Sequence, residues 1–136
     1  MTNKIITATE AAKLIKDGDW VAIQGSGGGV GEPTTLLRAV RQRFLDEGTP
    51  KGLTLCHATG LGDLYEIGMD LLALPGLVKR DIAGHLGMAP AFAQMIKDNL
   101  IESYNFPQGV LSQMYGAVAA HKPGVFSKVG LHTYID

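Results

Sequence analysis

Residues 20–33 read Trp20-Val21-Ala22-Ile23-Gln24-Gly25-Ser26-Gly27-Gly28-Gly29-Val30-Gly31-Glu32-Pro33, with five glycines between Gln24 and Pro33. The first four residues predict a short buried strand. Beyond Pro33, Leu36, Val40 and Phe44 recur every four positions, with Arg38, Arg41 and Arg43 on the other faces. That spacing predicts a helix packed by one face. A strand entering a helix through a glycine loop is the repeating unit of parallel α/β sheets.

The same unit recurs downstream. Leu53 to Cys56 predicts a strand, followed by the loop His57-Ala58-Thr59-Gly60-Leu61-Gly62-Asp63. Asp81 to Ala83 predicts a second, with Gly84-His85-Leu86-Gly87 and a helix opening near Pro90. Ile101 to Tyr104 predicts a third, followed by Asn105-Phe106-Pro107-Gln108-Gly109 and a helix marked by Val110, Met114 and Val118. Upstream, Thr7 and Glu10 have capping-box spacing, and Ala11, Leu14 and Ile15 form an apolar stripe before Gly18. A β-branched run, Val125 to Ile135, reaches the last residues. The expected fold is an α/β domain with a mainly parallel sheet and flanking helices. Right-handed crossovers would bring all four loops to one sheet edge, at a common crevice.

Composition narrows the function classes. The 136 residues carry a formal charge of -1, which gives no ground for a nucleic acid or anionic membrane partner. Cys56 is the single cysteine, so a disulfide framework is excluded and a reducing, cytoplasmic setting is expected. The start lacks the apolar core of a signal peptide. Glycine, 18 of 136, exceeds its usual share and implies tight turns and close backbone approaches.

Two common uses of a glycine loop fail on spacing. A P-loop needs Lys followed by Ser or Thr after its last glycine, and Gly31 is followed by Glu32-Pro33. The dinucleotide fingerprint needs a third glycine where this chain has Val30 or Glu32. What remains is a turn rich in backbone N–H groups, suited to an oxyanion or carboxylate, or simply to a sharp bend. Glu32 is expected in the first helical turn, complementing the helix dipole, and Asp63 as a cap or turn residue. His57, His85, His121 and His132 show no metal-ligand spacing. His57 and His85 fall in predicted loops, open to ligand contact or to a structural role, and Cys56 reads as a small buried hydrophobe. Gln108, a neutral amide between Pro107 and Gly109, could donate to a carboxylate or bond to backbone.

The stretches DGDWVAIQGSGGGVGEP, LVKRDIAGHLG, YNFPQGVL and AAHKPGVFSKVGLHTYID together resemble the N-terminal half of family I coenzyme A transferases. The resemblance is greatest to single-chain acetate/propionate (short-chain acyl) CoA-transferases, and it covers essentially the whole chain. Many relatives have Gly-Gly-Phe where this chain has Gly27-Gly28-Gly29-Val30, so the aromatic is missing. The resemblance implies a CoA-transferase-like α/β fold and CoA transfer between short-chain carboxylic acids through a glutamyl-CoA thioester. Coenzyme A enters as acyl-CoA substrate, and no metal is implied. It further implies that Gly27, Gly28, Gly29, Val30 and Gly31 line the site and that Gln108 meets the substrate carboxylate. Gly60 and Gly62 are weaker candidates.

The family's nucleophilic glutamate belongs to a second half that these 136 residues do not reach. Residues 1–136 are therefore expected to be part of the first domain, inactive alone and completed by a second-half or β domain. A homo-oligomer is also expected. Two alternatives stay open: a sugar-phosphate isomerase or deaminase of similar architecture, and a non-catalytic assembly subunit.

Overall fold

The computed structural model describes residues 4–26 and 29–136. Four strands, β1 (Trp20–Ala22), β2 (Leu53–His57), β3 (Val78–Ala83) and β4 (Glu102–Asn105), form one sheet in the order β1-β2-β3-β4. All three pairings are parallel, so every strand ends at the same sheet edge. Four helices accompany them: α1 (Ala8–Ala12), α2 (Thr34–Glu47), α3 (Pro90–Lys97) and α4 (Gln108–Ala119). A 3₁₀ turn, Gly68–Leu72, which periodicity does not predict, lies between β2 and β3.

Alternation along β2 divides the layers. Leu53 and Leu55 join a core with Leu37 and Val40 of α2 and Phe92 and Met95 of α3. Cys56 belongs to the other face, where its thiol lies 3.9 Å from the Tyr115 hydroxyl of α4. An unreversed strand order with crossovers of one hand puts α2 and α3 on a common face. α4 crosses to the opposite one. Its Met114, Tyr115, Val118 and Ala119 border Trp20 and Ala22 of β1.

Several local expectations change. The capping box is present: Thr7 Oγ1 accepts the Glu10 N–H at 3.2 Å and Glu10 Oε2 accepts the Thr7 N–H at 2.8 Å. Yet α1 stops at Ala12, and Leu14 is 69 % exposed instead of completing a buried stripe. Arg43 explains the early end. Its guanidinium donates to the Ala12 and Ile15 carbonyls, both at 2.7 Å, taking over acceptors a longer helix would use. Arg41 likewise donates to the Leu71 carbonyl at 2.9 Å. Both arginines are partly buried and bonded to other elements, so they do not form a wholly solvated face.

β1 is an edge strand and not a buried one: Trp20 is 66 % exposed. β3 begins three residues before the predicted Asp81, and β4 runs one residue beyond Tyr104. Residues 125–135 contain no strand: 125–127 are irregular and 128–135 form bends and turns, unpaired with the sheet. Among the described residues no helix is long and apolar enough to cross a membrane.

Candidate functional site

Because the strands are parallel, four loops leave the same edge: residues 23–33, 58–67, 84–89 and 106–107. Gly27 and Gly28 lie outside the described residues. Gly29 and Gly31 adopt positive φ, +83° and +69°, and Val30 between them is exposed. The Ser26 N–H donates to the Val30 carbonyl at 2.9 Å, closing the neck of the loop.

Glu32 does not occupy a helical turn. It precedes Pro33, the N-cap of α2, and reaches across to the β2 loop, where Oε1 accepts the Gly62 N–H at 2.7 Å. A long-range bond to a buried N–H has displaced the expected helix-dipole role. Gly62 has φ +143° and abuts the Met88 carbonyl, so a side chain there would be strained and would overlap backbone. Gly60 faces the His85 ring, which a Cβ would overlap. Both glycines therefore join the β2 loop to the β3 loop. Asp63 is a turn residue: its Oδ1 accepts the N–H groups of Tyr65 and Glu66 at 2.9 Å and of Ile67 at 3.3 Å.

His57 corrects its loop assignment. It is the last residue of β2, and both it and Asp81 of β3 are 0 % exposed, with Nε2 3.2 Å from Asp81 Oδ1. The other ring nitrogen lies 2.6 Å from the Thr59 carbonyl, which can only accept, so Nδ1 carries hydrogen. Burial favours the neutral ring. The Asp81 carboxylate, the Thr59 carbonyl and the charge of Glu32 outweigh it and lift the His57 pKa above its ordinary value. Among the described residues the Asp81 oxygens have no hydrogen bond of good geometry, so the contact with His57 acts through charge and becomes an ion pair when the ring is protonated. This charged cluster underlies the loops and is closed to a substrate.

The remaining histidines, His85, His121 and His132, are exposed. Cys56 is buried and its thiol pKa is raised, chiefly by burial, while Tyr115 beside it is pushed up to about 12, again mainly by burial. Among the described residues no group of three or more His, Cys, Asp or Glu could hold a metal ion.

Gln108 opens α4 directly after the N-cap Pro107. Its side chain is exposed and bonds to no other described residue, so it is not the backbone-bonded loop glutamine that spacing also allowed. Gly84 sets its position. A Cβ on Gly84 would overlap the Ala58 carbonyl and come 3.2 Å from Gln108 Cα. The β2 loop, the β3 loop and the start of α4 thus meet at one glycine. Gly84→Ala is expected to lower stability by about 1–3 kcal/mol through overpacking. Urea unfolding measures this, and an unchanged midpoint would show that the loops separate freely.

An open parallel sheet with a glycine loop, a second glycine-bearing loop and an exposed amide at one edge defines an α/β domain of the kind whose strand ends commonly border ligand sites. The chain belongs to the coenzyme A transferase family: the family model described as Coenzyme A transferase matches residues 5–136. It is 40 % identical over 132 residues to the acetate CoA-transferase YdiF of Escherichia coli (strain K12), covering 97 % of this chain and 25 % of that protein. It is 38 % identical over 133 residues to the caffeate CoA-transferase of Acetobacterium woodii, covering 98 % and 25 % respectively. A solved structure of the acyl-CoA transferase YdiF from E. coli O157:H7, a thioester complex with CoA, matches with a TM-score of 0.93 and 40 % identity. That match covers 96 % of this chain and 27 % of the other. The fold is thus that of the CoA-transferases. The chain spans about a quarter of the length of these two curated relatives.

Proposed function

We propose that these residues supply one wall of an acyl-CoA:carboxylate CoA-transferase site, in which short-chain acids exchange CoA in a cytoplasmic setting. The observation that carries this reading is the meeting of the glycine loop, the β2 loop and Gln108 at one strand edge, in a chain similar to named CoA-transferases. In this chemistry a carboxylate attacks the acyl-CoA carbonyl, expelling the CoA thiolate and leaving a mixed anhydride. The thiolate then attacks the enzyme's own acyl carbon, releasing the first acid and forming an enzyme thioester. A second acid reverses the sequence. The attacking glutamate would come from polypeptide outside residues 1–136. Here the backbone N–H groups of the glycine loop would face the developing oxyanion, and the Gln108 amide would donate to the substrate carboxylate.

The open edge supports completion by further polypeptide. β1 has an apolar groove on each face, lined on one side by Ile15, Val21, Leu36 and Val40 and on the other by Trp20, Met114, Tyr115 and Val118. α4 has already crossed to the second face and returns over β2 towards β1. A right-handed crossover from there would add a parallel strand beside β1 and reverse the winding at the glycine loop, where such sheets bind ligands. A second copy of the chain is the competing occupant of that edge.

Joining or co-expressing the chain with the complementary portion of an acetate CoA-transferase is expected to give acetyl-CoA-to-propionate exchange. Gln108→Ala is then expected to lower kcat/KM about 10- to 100-fold, the worth of one hydrogen bond to a charged group. Exchange untouched by Gln108→Ala would remove that residue from the site.

A further inference from the structure

Two polar links tie the glycine loop to the loop after β2, and they grip it at its two feet. Where the chain leaves β1, Thr59 Oγ1 donates to the Gly25 carbonyl at 2.6 Å. Where it approaches α2, the Gly62 N–H donates to Glu32 Oε1 at 2.7 Å. The partners are 34 and 30 residues apart in sequence, so tertiary structure alone creates both links. The first foot is packed as well as bonded: a Cβ on Gly25 would come 2.8 Å from Leu61 Cδ2 and 3.0 Å from Glu32 Cγ. Thr59 is itself held from behind, its carbonyl accepting His57 Nδ1–H, and His57 is anchored to β3 through Asp81.

Glu32 Oε2 is shut from solvent and has no hydrogen-bond partner among the described residues. Leaving a carboxylate oxygen buried and unbonded costs free energy. A residue selected only to stabilise this junction would avoid that cost. We propose that Glu32 and Thr59 are positioning residues, a two-point clamp that sets the span of the glycine loop before substrate arrives. The catalytic consequence rests on the transferase reading, whereas the clamp itself does not.

Amide hydrogen exchange of the 136-residue chain tests the clamp directly. Glu32→Ala is expected to speed exchange at Gly62 and Ser26 by about tenfold or more while the amides of β2 keep their protection. Glu32→Gln, whose amide oxygen still accepts, is expected to restore protection. At the other foot Thr59→Ser keeps the donor and Thr59→Val removes it. In the chain completed for activity, Glu32→Ala is expected to lower kcat about tenfold or more with KM little changed, and Glu32→Gln to recover most of it. Unchanged Gly62 exchange in Glu32→Ala, or a Gln variant as impaired as the Ala variant, would overturn the clamp. If the completed wild-type chain transfers no CoA, the transferase reading fails and the exchange rates alone decide the clamp.

Discussion

Replacing His57 with alanine while Asp81 remains is expected to cost about 3–5 kcal/mol, because it leaves a fully buried carboxyl without its counter-charge. Both side chains are 0 % exposed, so salt screens the pair little. Exchanging both together, His57→Leu with Asp81→Leu, is expected to cost far less, since a buried ion pair often breaks even with apolar residues of similar size. Urea unfolding of wild type, His57→Leu, Asp81→Leu and the double variant closes the cycle. A His57→Ala loss below about 1 kcal/mol would show that the pair contributes little. The pH dependence has a definite sign. The folded pKa of His57 lies above its unfolded value. Its stabilising contribution is therefore complete below about pH 6.5 and is lost as pH rises through the folded pKa. The gap between wild type and the double variant should narrow on the alkaline side.

Phe92→Ala is expected to remove about 3–5 kcal/mol, and Phe92→Leu closer to 1 kcal/mol. Phe92 is fully buried in the core that α3 shares with Leu55 and Leu72. The surroundings are poorly able to collapse onto a cavity there. Pro90 opens α3, and Asp70 of the 3₁₀ turn accepts the Phe92 N–H at 2.9 Å, pinning the helix start from another element. A folded Phe92→Ala chain with an unchanged urea midpoint would mean that α3 slides to fill the space.

Neither residue announces this importance in the sequence. Phe92 is one apolar residue of a short helix, and His57 follows a strand at the point where a loop is expected. The position of His57 becomes legible only when β3 brings Asp81 against it, with Leu55 and Asp81 in register. Glu32 and Gly62 are similar: local rules place an acid near a helix start, but the acid turns to a backbone N–H thirty residues away. Gln108 is a partial case. Spacing places it in the loop after β4 at the sheet edge, and the structure keeps it at that edge, exposed, but as the first residue of α4.

Local spacing by itself determined the parallel α/β class, the four strand-to-loop passages and the glycine loop between β1 and α2. Strand alternation, helical periodicity and glycine punctuation all act within a dozen residues. Only the tertiary structure decided that β1 is an open edge, that α4 lies on the opposite face from α2 and α3, and that Glu32 and Thr59 link the loops above the buried pair His57 and Asp81. Those facts depend on pairings between residues 24 to 59 positions apart, whose energies arise when burial removes water from both partners. No local pattern encodes that removal.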